Sequence, residues 1–215
     1  MAVKLPDGAT VSLQTAVGTS KTISAVTNAN PAVATSTAHG FTNGMLITVT
    51  SGWSRLNNRV VRVANVTANT FDLEGIDASN VSLFPAGSGI GSALQITTFT
   101  QISQILDFST SGGEQQFATF SFLEQDFETQ APTVTSAQSI TIGIGDDPTL
   151  AGYIALKVAG EQRAIRALRM TLPDGSFILY NGYVSFNETP TVTKGQVMQV
   201  NASFSLLSRP VRYAS

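Results

Sequence analysis

The sequence predicts a mainly β protein, a β-sandwich or barrel with one α-helix and a small inserted all-β module. Three observations predict it. From Arg163 to Tyr213 apolar residues recur at every second position: Leu168, Met170 and Leu172, then Ile178, Tyr180, Val184 and Phe186, then Met198, Val200, Phe204 and Leu206. Successive side chains of a strand point to opposite faces, so this period means sheet with one buried side. Residues 22–93 hold short β runs separated by Gly and Asn turns, the spacing of a compact all-β unit. Only one segment, near residues 148–160, carries a helical apolar pattern.

Taken in order, residues 1–21 are a starting element. Leu5-Pro6-Asp7-Gly8 is a turn word, followed by Val11 and Leu13 at alternating positions. Within 22–93 the expected strands are Ala32–Ser36, Met45–Thr50, Arg59–Ala64 and Thr70–Leu73, and Gly87–Ser92 reads as a loose linker. The domain reading is therefore residues 1–21 with 94–215 as one domain and 22–93 as an insertion. In 94–147, Gln115–Leu123 sets Phe117 against Phe120 and Phe122, which predicts partial cover on both faces. Glu124–Val134 is acidic and contains Pro132, which predicts a long loop. Ser139–Ile144 puts Ile140, Ile142 and Ile144 on one side of a strand.

Asp146-Asp147-Pro148 is a helix-start signal and Gly160 a stop. Leu150, Ile154 and Val158 form the expected apolar stripe, with Tyr153 and Leu156 beside it. Leu172-Pro173-Asp174-Gly175 then joins two strands through a tight turn.

Only 12% of residues are charged, so the surface is neutral-polar and suited to strands that meet other strands. There is no cysteine, which excludes disulfides, thiolate catalysis and thiolate zinc sites. No signal-peptide core and no apolar run of membrane-spanning length is present, which predicts folding in the cytoplasm and no membrane partner. The four Asn-x-Ser/Thr matches, at Asn65, Asn80, Asn187 and Asn201, follow from the abundance of these residues. The net charge of −2 conceals a division, because no Lys, Arg or His lies between Arg62 and Lys157 while ten of the fourteen acids do. Among them Asp107, Glu114, Glu124, Asp126 and Glu128 are candidates for an acidic lining that repels phosphate. Arg163 and Arg169 on one strand face, with Arg166 on the other, are candidates for pairing with acids of a neighbouring subunit.

Tests for chemistry find little. His39 is the one histidine, and no GxSxG elbow or HExxH occurs. Gly143-Ile144-Gly145 precedes the helix, but Asp146, Asp147 and Pro148 oppose phosphate binding there. Glu124, Asp126 and Glu128 alternate as a calcium site or a glycosidase acid pair would, without further motif support, and read better as a solvated acidic loop or lining. Trp53 and Phe41 suggest a sugar platform or, more simply, the core of a small β unit. No catalytic residue, cofactor or metal is expected.

The words SGGEQQFATFSFLEQDFETQ, LPDGS, ILYNGYVS, NETP and SRPVRY resemble the tail tube (major tail) proteins of long-tailed phages, over most of residues 94–213. NPAVATSTAHGF and LNNRVVRVANVTANTFDLEGIDAS are similar to a small β module of phage structural proteins. The resemblance implies a virion structural protein assembled in the host cytoplasm. Its hexameric rings would stack into a tube around a tape-measure protein, end on terminator and distal tail proteins, and conduct DNA without binding it specifically. It also implies a β-sandwich with one helix and, on this reading, a module 22–93 that decorates the outside of the tube. A secreted or surface carbohydrate-binding β module is the alternative.

Overall fold

The computed structural model describes residues 7–214. Its strands are β1 (Thr10–Ile23), β2 (Ala25–Val26), β3 (Ala32–Thr35), β4 (Leu46–Ser51), β5 (Arg59–Ala64), β6 (Thr70–Leu73), β7 (Gly91–Ile102), β8 (Ile105–Ser111), β9 (Gln115–Phe120), β10 (Thr129–Thr135) and β11 (Ser139–Gly145). Helix α1 (Ala151–Gln162) follows, then β12 (Ile165–Thr171), β13 (Phe177–Thr191), β14 (Gln199–Leu206) and β15 (Val211–Tyr213). The protein is thus mainly β with one helix among the described residues, as its alternating pattern predicts.

One antiparallel sheet runs β2-β3-β6-β5-β4-β7-β1-β12-β13-β14-β11-β8, with β15 added on β13. The four strands expected in 22–93 are present to within a residue or so at each end. The Leu172–Gly175 turn forms as its residues require: Gly175 has φ +82°, the Leu172 amide donates to the Ser176 carbonyl at 2.8 Å, and the Ser176 amide donates to Asp174 Oδ1 at 3.0 Å. Of the matching word near the N-terminus, Leu5 and Pro6 lie outside the described residues, while Gly8 has the positive φ of +89°.

The sheet carries two cores. On one face Val11, Leu13, Ile140, Ile142, Ile144, Leu168, Tyr180, Val200 and Phe204 pack with Tyr153, Leu156 and Ala159 of α1. The second core holds Trp53, Leu56, Phe71, Leu73 and other residues of 22–93, closed by Ala167, Leu179, Val211 and Tyr213. β12 and β13 are therefore buried on both sides: Leu168 and Tyr180 belong to the first core, their neighbours Ala167 and Leu179 to the second. β1 and β7 pair along their length and run through both halves, so residues 21–22 and 93–94 fall inside strands. Gly87–Ser92 is no loose linker. Gly91 is so close to β4 that an added Cβ would lie 1.9 Å from the Thr50 carbonyl oxygen, and Gly52 N donates to the Ile90 carbonyl at 3.0 Å.

Helix α1 departs from its sequence signals at both ends. Asp147 Oδ1 takes the Thr149 amide at 3.0 Å and hydroxyl at 2.6 Å, and this local turn uses up the side chain expected to cap the helix. The N-cap is Leu150, with no side-chain cap. Gly160 lies inside the helix, where its bare Cα lets Phe186 approach, and the stop is Arg163 in the left-handed conformation at φ +49°. The buried face is Gly152, Tyr153, Leu156 and Ala159; Ile154 and Val158, placed in the apolar stripe by spacing, are exposed.

Candidate assembly surface

β8 is the last strand of the sheet, paired with β11 on one side and open on the other. Beyond it the chain continues into β9, returns through β10 and enters β11. The pairs Ser111↔Ser139 and Gln115↔Thr135 keep one register across the junction. Residues 105–145 therefore form one long hairpin with a joint at Gly112-Gly113. There φ is +77° and +84°, and the Glu114 amide donates to Ser136 Oγ at 3.0 Å. Below the joint the hairpin belongs to the sheet. Above it the β9–β10 pair is an arm, in which every residue of β9 is exposed.

Two sequence expectations change here. Half of the segment expected to be a loop, Glu124–Val134, is strand β10, and Pro132 is tolerated because β10 has only β9 as neighbour. The expected cover over Phe117, Phe120 and Phe122 is missing: they are 56%, 42% and 57% exposed, and Leu123, Phe127 and Val134 are exposed with them. A two-stranded ribbon is marginal alone in water, and this arm exposes a run of large apolar side chains of the kind found at interaction surfaces.

All five acids singled out from the charge pattern lie on this hairpin. Asp107 is on β8, Glu114 at the joint, and Glu124, Asp126 and Glu128 at the tip between β9 and β10. Among the described residues none of the five forms an ion pair. No group of His, Cys, Asp and Glu that could hold a metal occurs among the described residues.

The three arginines are not equivalent. Arg163 is the helix C-cap and precedes β12, so it does not share a strand face with Arg169. Arg166 donates to Gln162 Oε1 at 2.8 Å, and the Arg169 guanidinium stacks 4.8 Å from the Phe99 ring centre. Arg169 Nε is buried without a hydrogen-bond partner.

The residues weighed for chemistry are structural. His39 is buried; the Phe41 amide donates to its Nδ1 at 2.9 Å, which puts the ring proton on Nε2, 3.1 Å from the Thr67 carbonyl oxygen. Trp53 is 1% exposed, donates from Nε1 to the Pro85 carbonyl at 2.7 Å, and meets Phe84 edge-on, while Phe41 lies in the same core. Neither presents a ring for a sugar. Gly143 and Gly145 lie beneath Gln199 and Gln104, with no open cradle for a phosphate.

An open strand edge continuing into an uncovered apolar arm is the geometry of a protein whose sheet is open to extension by another strand. The model of a family described as phage tail tube protein, TTP, matches residues 51–215, and the chain belongs to that family. It is a structural component of the phage virion tail. No curated protein matches the chain.

Proposed function

We propose that this protein forms hexameric rings that stack into a hollow, non-enzymatic tail tube, enclosing a tape-measure protein and later conducting DNA into the host. The observation that carries this reading is the free edge of β8 running directly into the exposed arm. A strand edge joined to the next copy's sheet removes unpaired backbone groups, and a closed ring of such joints leaves no edge. Asp107 and Glu114, on the joined hairpin, are the first candidates to face the bore, where carboxylates keep a phosphate backbone sliding. The module 22–93 contributes β2 to β6, at the opposite end of the sheet order from β8, which supports an outward position. Terminator and distal tail proteins would close the two ends of the tube.

Electron microscopy of the purified protein tests this reading. Rings or tubes with six-fold symmetry are expected, and a tag inserted at the Ala68–Asn69 turn should decorate their outer wall. Monodisperse single copies at all concentrations, or a tag inside the bore, would refute the ring or the outward module respectively.

A further inference from the structure

A cleft of about 910 Å³ opens beside the base of the arm and gathers three arginines from two distant parts of the chain. Arg55 comes from the β4–β5 loop, Arg59 from the start of β5, and Arg209 from the β14–β15 connection. Gln115 and Thr135, the first pair of the arm, form its rim, and Arg209 Nη2 donates to Thr135 Oγ1 at 3.3 Å. Asp77 is the one acid in the lining, and its Oδ1 is engaged by the Ser79 amide at 2.9 Å and hydroxyl at 2.6 Å. Among the described residues no carboxylate pairs with any of the three arginines.

Arg59 is the most demanding of them. Its Nε is buried with no hydrogen-bond partner. Burial, opposed by Tyr213 and assisted by Arg209, holds its guanidinium below the ordinary pKa, yet arginine does not give up its proton. Like charges held together and partly out of water call for an anionic partner with fork geometry, and carboxylates supply it.

Carboxylates without partners stand at the far end of the same arm, as Glu124, Asp126 and Glu128. β9 has six residues, so the tip stands about 20 Å from the base at a strand's usual rise. A ribbon extended in this way does not deliver its tip to its own base. We infer that the Arg55, Arg59 and Arg209 cleft receives the acidic arm tip of a second copy. Tip and cleft are different patches, so the contact is head-to-tail; where such a contact does not close on itself it repeats from copy to copy along a line, as a stack of rings requires. The inference rests on the tube reading and gives it a specific axial contact; the bore is left to Asp107 and Glu114.

The test uses the absence of native cysteine. The full chain carrying Asp126→Cys and Arg209→Cys is assembled, oxidised mildly and run under denaturing conditions. A ladder of cross-linked copies is expected from the double variant, and none from either single variant. Charge reversal gives a second arm: Arg55→Glu with Arg209→Glu, and separately Glu124→Lys with Asp126→Lys and Glu128→Lys. Each set should abolish tubes with the melting curve retained, and mixing the two variants, or combining both sets in one chain, should restore them. Tubes from the native chain with no ladder, reversed variants that assemble like the native chain, or folded variants that no mixture restores would each overturn the docking and leave the tube reading standing. A native chain that forms neither rings nor tubes would overturn both.

Discussion

The Tyr213 hydroxyl donates to the Glu74 carbonyl oxygen at 2.8 Å, tying the C-terminal strand β15 to the loop after β6. The Tyr213 hydroxyl oxygen in turn accepts the Arg62 amide at 2.8 Å, and the Arg62 guanidinium lies 4.7 Å from the Tyr213 ring centre. The last strand is thus a clasp between 22–93 and the rest of the sheet. Tyr213→Phe keeps the ring and strands two backbone groups, so a loss of about 1–3 kcal/mol is expected. Chemical denaturation checks it; an unchanged midpoint would remove the clasp from the account.

Tyr213 also predicts an alkaline limit. Burial pushes its hydroxyl from the ordinary 10 up to about 12. Between these values the unfolded chain has released the proton and the folded chain still holds it, so stability falls as pH rises. It is fully present below pH 10 and lost towards 12, by an amount of about 2–3 kcal/mol. Melting followed from pH 9 upward should show this slope, and Tyr213→Phe should flatten it.

Gly152→Ala should reverse the usual sign. Alanine in place of glycine normally stabilises a helix by about 1 kcal/mol. Here the new Cβ would sit 2.6 Å from the Gln101 carbonyl oxygen of β7, and α1 must lift from the sheet. A net destabilisation of about 1–3 kcal/mol is expected. A higher melting temperature would show that the helix does not lie this close.

The two faces of α1 give a paired prediction. Leu156 is fully buried and Val158 is 40% exposed. Leu156→Ala should cost about 2–5 kcal/mol, Val158→Ala about 0.5 kcal/mol or less. Similar losses in the two unfolding curves would contradict the orientation described.

Replacing residues 115–135 with a short turn removes the arm without touching either core. The variant should melt within a few degrees of the native chain and form no tubes. Tubes from the armless chain would deny the arm a part in assembly.

Much of the sheet was legible because period two is a local property. Ile140, Ile142 and Ile144 on β11 face Phe204, Ala202 and Val200 on β14, as alternation required. What alternation could not report is a second layer: Leu179 and Ala167 looked like the outer face of a one-sided sheet and are buried by 22–93. Apolar residues out of phase, such as Phe177 and Leu179, were the available signal. The helix start was misplaced because Asp147 satisfies Thr149 locally, a competition that capping residues always offer. The arginine cleft was invisible, since Arg209 reaches the neighbouring Arg55 and Arg59 from the far end of the chain, through the β14–β15 connection. The charge pattern found the five acids but not their common hairpin.

By itself, the chain's order of residues determined where strands run and where they turn, because backbone conformation answers to near neighbours. Only the tertiary structure decided which apolar residues stay outside. Phe204 and Phe117 are the same residue on comparable alternating strands, one fully buried and one 56% exposed. Burial needs an opposing surface. The fold supplies one over β14 and leaves the arm for another molecule to cover.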